Sequence, residues 1–366
     1  MQKNTVKYGL GIAVAIFAVF MIWYFRSIFI YLCISAVLSL IARPFVDLLK
    51  KIKIRKFQIK GGLAAFLTVA LLWVIIVMVF RFVIPLVSRE FQYLSSIDIS
   101  VALENMERLL HQFLDPLKER NSDIYESIEN QIKDMFLLFF NLNQIKNIFS
   151  SMLGFVGGTF VAAFSITFVT FFFLKEKGLA FKGLMIFVPS KYEENLKNAI
   201  ESIKRLLRRY FIGILIQTTL IAILITSGFF IIGINFNHAA AIGVICGLLN
   251  VIPYVGPLIG FFIGLITGSI FYLQNPLEMS FLIYLLLICI VYATVQLTDN
   301  IVFQPVIFST SVMAHPLEIF IVILMAGYSM GIVGMFIAIP VYTVLRVIAR
   351  EFFSQYNVVQ KITRKM

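Results

Sequence analysis

Residues 247–268 read GLLNVIPYVGPLIGFFIGLITG, with two prolines and five glycines in a stretch that is otherwise almost wholly apolar. Pro253 and Pro257 each remove a backbone donor and interrupt a helix. Gly256, Gly260, Gly264 and Gly268 follow at a strict spacing of four, which bares one stripe of the helix beyond the break. Small residues at that spacing let two helices approach closely. Irregular backbone at membrane depth persists only where protein or water satisfies its polar groups, so the break marks a buried or cavity-lining position.

The rest of the chain agrees with a membrane setting. Of 366 residues 60% are hydrophobic and only 14% charged, with a mean hydropathy of +0.94, far from a soluble globular composition. A net charge of +12 belongs to cytoplasmic loops in such a chain, and no basic patch interleaved with stacking aromatics points to nucleic acid. Cys33, Cys246 and Cys289 lie in separate apolar runs without ligand spacing, so neither metal nor cofactor is expected. Walker-type phosphate loops, HExxH and GxSxG are absent, which argues against ATP hydrolysis and against an enzyme. Lys3 and Lys7 precede an apolar run with no small-x-small cleavage site, so that run reads as a retained helix.

Apolar runs near the roughly 20 residues that a span requires occur at 8–25, 27–42, 61–85, 149–174 and 210–234. Loop charge orients them. Residues 43–60 carry seven bases against Asp47 and should face the cytoplasm; residues 86–148 carry ten acids against six bases and should lie outside. Leu103, Met106, Leu110, Phe113, Leu114 and Leu117, then Ile124, Ile128, Ile132 and Met135, fall at helical spacing, which predicts amphipathic helices on the outer surface. Residues 175–209 are basic again and predict a helix lying in the inner interface over 190–208. Arg346, Arg350, Lys361, Arg364 and Lys365 place the C-terminus inside with the N-terminus, in a multi-pass protein of the cytoplasmic membrane.

Between Arg209 and Arg346 there is no lysine or arginine, and the only acids are Glu278, Asp299 and Glu318. Four apolar blocks fill this region, at 210–234, 238–273, 279–298 and 316–346. The second and fourth exceed one simple span and carry breakers, PYVGP and GYSMGIVG, so each is a broken crossing or a re-entrant hairpin. Under the hairpin reading, span and hairpin occur twice with opposite orientation, as in inverted-repeat transporters. The echo of NPLE (275–278) in HPLE (315–318) supports a repeat.

The expected fold is therefore all-α and polytopic, with about eight membrane segments, two of them broken or re-entrant, and amphipathic extramembrane helices. Its parts are the N-terminal helices of 1–85, the outer helices of 86–148, a span and an interfacial helix over 149–209, a transport core over 210–348 with hairpins at 238–273 and 313–346, and a tail over 349–366.

Asp299 is the first candidate for ion coupling, because an acid costs on the order of 3 kcal/mol at mid-bilayer. Gln296, Asn300 and Gln304 beside it can share a proton or an ion; the alternative is an interface cap at the end of the 279–298 helix. Asn250, Pro253, Tyr254, Gly256 and Pro257 form a second group at the first break, with Gln217, Thr218 and Thr219 as further lining. His315 titrates in the physiological range or caps the helix begun by Pro316, and Gly331 sits at the second break. His111 and His238 carry no expected role.

NVIPYVGPLIG (250–260), TDNIVFQPVIF (298–308), AHPLEIFIVILMAG (314–327) and GIVGMFIAIPV (331–341) resemble signature segments of the autoinducer-2 exporter family, the PerM-like permeases. ARPFVDLLKK (42–51), the Ile84-Pro85 pair and FFFLKEKG (171–178) resemble it in the same order. The resemblance implies a secondary permease in the lipid bilayer, some members exporting the quorum signal autoinducer-2 or another small polar solute and others exchanging sodium or lithium for protons. It also implies a homo-oligomer, for which pentamers are proposed. Many members carry Glu where this chain has Asp299. A structural or regulatory membrane protein acting through the outer helices is the remaining alternative.

Overall fold

The computed structural model describes residues 24–51, 53–54, 57–95, 160–176, 188–275, 279–311 and 315–356, with a few isolated positions besides. Most of the expected span at 8–25, the outer helices beyond Ser95 and the start of the 149–174 span lie outside that set. The described chain is helical. Its helices are α1 (Arg26–Lys51), α2 (Gly61–Ser95), α3 (Phe160–Lys175), α4 (Glu193–Ile231), α5 (Phe236–Leu249), α6 (Val255–Gln274), α7 (Phe281–Thr298), α8 (Gln304–Ser311) and α9 (Pro316–Phe353). One departure from an all-helical chain lies in the basic loop, where Lys53–Ile54 pairs antiparallel with Phe57–Gln58. Among the described residues six helical stretches are long and apolar enough to cross a membrane, which makes this a multi-pass membrane protein. Leu71, Trp73, Val74, Ile75, Val77, Met78, Val79, Phe80 and Phe82 of α2 are all exposed, the pattern of a helix whose solvent is lipid.

The chain divides into two compact units, Met1–Val74 with Gly154–Ile200 and Ile75–Leu153 with Glu201–Met366. In the first, α1 packs on α3. Ala42, Val46, Ala64, Ala65, Val69 and Leu174 form its core, and Arg43 donates to the carbonyl of Leu174 at 2.8 Å. A cation at the carbonyl end of a helix satisfies acceptors that the helix leaves over. Arg43 belongs to the ARPF segment and Leu174 to the FFFLK segment, so two stretches quoted separately above meet at this bond.

In the second unit α4 and the α7–α8 rod run antiparallel. A methyl added at Gly228 would overlap Val291, one at Gly213 would lie 2.7 Å from Ile307, and Gln217 bonds Asp299 between those points. The interfacial helix and the following span expected as separate elements form one helix of 39 residues, about 58 Å long at 1.5 Å per residue. Backbone hydrogen bonding is indifferent to the change from a charged to an apolar face at residue 209, and neither glycine nor proline interrupts it there.

Helix α4 leads into the first broken block. Helices α5 and α6 are 14 and 20 residues long, joined at residues 250–254, and they fold back on each other as a helical hairpin. Cys246 and Gly260 lie side by side, and Gly256 sits against the carbonyl of Leu249. Gly264 and Gly268 face Tyr292 and Ile288 of α7, while Gly243 and Gly247 of α5 face Thr226, Ala222 and Thr218 of α4. The four-spaced glycines are therefore a packing seam: lipid supplies no hydrophobic drive between helices, so close approach must hold them.

The second broken block also reverses. Within α9, Gly331 has φ 62° and ψ −146°, a conformation open to glycine alone. Tyr342 donates to Glu318 at 2.7 Å across 24 residues, which a straight helix would hold about 36 Å apart. Gly334 packs against the carbonyl of Ala326 and Gly327 against Met335. Residues 316–330 and 332–353 are thus two arms of a second hairpin. The first hairpin leaves the rod pair at the end marked by Ile231 and Phe281, the second at the opposite end, beyond Ser311. Their open ends point in opposite directions.

Candidate functional site

The rod of α7 does not stop at Thr298. Residues Asp299–Phe303 form a π-helical turn in which the Gln304 N–H donates to the Asp299 carbonyl, and α8 then continues. Pro305 explains the widening, since it has no N–H to give and its ring crowds the carbonyl four residues back. Such π-turns occur frequently at functional sites. Asp299 therefore lies inside the helix, eight residues from the end of the apolar stretch Phe281–Ile307, and does not cap its end.

The Asp299 side chain is 1% exposed. Its Oδ1 accepts from Gln217 Nε2 of α4 at 2.6 Å, and its Oδ2 from Gln304 Nε2 at 2.9 Å. Gln304 Nε2 also reaches Asn300 Oδ1 at 2.9 Å, and Gln296 Nε2 donates to the same oxygen at 3.1 Å. Four of the expected residues, Gln296, Asp299, Asn300 and Gln304, thus form one network, and Gln217 completes it from the facing helix. Thr218 and Thr219 instead bond back to their own helix, at Ile214 and Leu215.

Chemically the site is a buried carboxyl that, among the described residues, is hydrogen-bonded by neutral amides alone. The sequence offers no lysine or arginine between 209 and 346 to neutralise it. Burying a charge without an opposite charge beside it is costly, so such a carboxyl has a charged state and a neutral state of very different solvation. Glutamine suits both states, presenting Nε2 to a carboxylate and Oε1 to a carboxylic acid or a cation.

The first break packs beside this network rather than joining it by a hydrogen bond: Ile252 shares a cluster with Ile214, one turn from Gln217 on α4, and Gly247 abuts the Thr218 carbonyl. The backbone N–H of Asn250 donates to Cys246 at 3.0 Å as α5 ends, and its side chain is buried. The Val255 N–H donates to the Pro253 carbonyl at 2.8 Å, closing a γ-turn on Tyr254 at φ 66° and ψ −51°. That hand of γ-turn is rare and strained, on the order of 1–3 kcal/mol. Tyr254 is the one non-glycine at positive φ among the described residues, 39% exposed, with its ring edge-on to Phe320 at 5.8 Å. Pro257 falls in the first turn of α6, where its missing N–H costs nothing; the interruption is the work of Pro253 and Tyr254. Ile252 and Val255 pack against Ile319, Ile323, Ala338 and Ile339, so the tip of the first hairpin seats on the arms of the second.

His315 caps α9, its Nδ1 accepting from the Leu317 N–H at 3.2 Å. Gly331 turns the second hairpin at an open point, with nothing within 4 Å of where a methyl would stand and Tyr328 beside it 97% exposed. Neither residue joins the Asp299 network.

Residues 10–354 match the profile described as AI-2E family transporter. YueF of Bacillus subtilis, named as a candidate transport protein, is 28% identical over 224 residues, 61% of this chain and 58% of that protein. YrrI of the same organism, named likewise, is 26% identical over 193 residues, 53% of this chain and 52% of its own length. The match spans little more than half the length of these two relatives. MJ1177 of Methanocaldococcus jannaschii, a third candidate transport protein, is 24% identical over 336 residues, 90% of each chain.

Proposed function

The chain belongs to the AI-2E transporter family, and from that premise we propose that it is a secondary permease of the cytoplasmic membrane, exporting a small polar solute such as a signalling molecule by alternating access. The observation that carries the reading is Asp299, 1% exposed inside a membrane-length helix and, among the described residues, hydrogen-bonded by amide donors alone. The two hairpins re-enter the bilayer from opposite faces and flank the α4–α7 pair on which Asp299 and Gln217 meet. Motion of one hairpin against that pair opens the path to one side at a time, and protonation of Asp299 ties the motion to the proton gradient. The protein works as a homo-oligomer.

The same observation favours a second reading, exchange of sodium or lithium for protons, because one carboxylate with turnable amides accepts either ion in succession. Purified protein in proteoliposomes separates the two. Autoinducer-2 leaving the vesicles under an imposed proton gradient supports the permease. A change in internal pH on adding sodium or lithium without solute supports exchange, and silence in every arm overturns both.

A further inference from the structure

Away from Asp299, the end of the second unit where α4 turns into α5 holds another ionisable cluster. Glu90 of α2 is 3% exposed, and its Oε2 lies 2.7 Å from His238 Nδ1, in the first turn of α5. The other oxygen of Glu90, Oε1, is buried without a hydrogen-bond partner. The Tyr93 ring stacks at 4.4 Å from the imidazole, tilted by 49°, and Phe271 of α6 lies at 5.7 Å. Tyr284 of α7 is fully buried with its hydroxyl unpartnered, and the Tyr272 ring is 5.1 Å from it. The Tyr272 hydroxyl itself donates to Met279. The titratable groups facing the pair among the described residues are thus the phenols of Tyr93, Tyr272 and Tyr284. Arg89, next to Glu90 on α2, is exposed.

We propose that Glu90 and His238 form a second proton-binding site, distinct from Asp299, whose proton docks the first arm of the first hairpin onto α2. With the imidazole neutral and Glu90 ionised the pair carries one net negative charge, which burial disfavours, and among the described residues a single hydrogen bond offsets it, Oε1 having no partner. A proton taken up by His238 turns the pair into a charge-assisted bond with no net charge. The imidazole remains partly exposed, with 23% of its side chain open, which gives the proton a way in. Tyr284 and Asp299 are fifteen residues apart on one rod, so the two sites lie about 22 Å from each other along it.

The test uses the full chain in detergent micelles, with imidazole nitrogens labelled and read by NMR. The sequence has three histidines, and His238 is assigned by the signal lost in His238→Gln. The His238 signal should change from its neutral to its charged form on acidification across the range in which the protein stays folded. Glu90→Gln should weaken its hold on the proton about tenfold, since removing an opposite charge disfavours the charged form. Asp299→Asn should leave it unmoved, which separates this site from the transport reading. A His238 signal that stays in one form across the range, or that ignores Glu90→Gln, overturns the proposal. Should Glu90→Gln fail to fold, the wild-type titration and Glu90→Asp decide: no titration in the first, or a weakening in the second as large as expected for complete charge loss, counts against it.

Discussion

Replacing Asp299 by Asn is expected to lower coupled flux by up to about a hundredfold while leaving the fold in place. Hydrogen bonds to a charged group contribute about 1.5–3 kcal/mol, and loss of the ionisable group removes that from the binding of proton or cation. At 1.36 kcal/mol per decade the upper end is about a hundredfold fall in rate. The substitution is isosteric, and Gln217 or Gln304 need only turn its amide to meet the new NH2 group. A buried charge is gone, so the thermal midpoint should hold or rise. Asp299→Glu keeps the charge and should retain flux. Normal flux in the Asn variant, or a fall in flux matched by an equal fall in stability, would reduce Asp299 to a packing residue.

The second large effect is on the hairpin itself. Gly→Ala inside a helix ordinarily stabilises by about 1 kcal/mol. At Gly256 the sign reverses, because the added methyl would overlap the Leu249 carbonyl oxygen and carbon across the tightest point between α5 and α6. Neither backbone can yield without opening the γ-turn at Tyr254. Gly256→Ala should therefore cost about 3 kcal/mol, at the upper end for an overpacked site, seen as a lowered thermal midpoint and poor recovery from the membrane. Gly62→Ala is the control: a methyl there meets only Lys175 Cε at 4.0 Å, so it should be neutral or mildly stabilising. Equal midpoints for the two variants would mean that the hairpin arms are not held at this distance.

Much of this was legible in residue types, because interruptions are written in donors removed and side chains missing. Pro253 and the glycines after it announced a break and a seam, and both exist. The polar set around Asp299 was legible because acids and amides are conspicuous in an apolar run. What escaped depends on geometry that composition does not encode. Asp299 read equally as a helix end, and only the π-turn ahead of Pro305 keeps the rod going. Gly327, Gly331 and Gly334 look alike in sequence, yet only Gly331 turns the chain while the other two admit Met335 and Ala326. Glu90 and His238 stand 148 residues apart, and neither has a charge pattern around it that would suggest the other.

The central claim is that the two hairpins open toward opposite faces of the membrane, and surface labelling tests it most directly. In a chain with Cys33, Cys246 and Cys289 replaced by Ala, single cysteines at the exposed positions Asn235, Asn275, His315 and Gln355 would be offered a membrane-impermeant maleimide from each side. The account predicts that Asn235 and Asn275 react from the outer face and His315 and Gln355 from the cytoplasmic face. Reaction of Asn235 and Asn275 from different faces, or of all four from the same one, would contradict it.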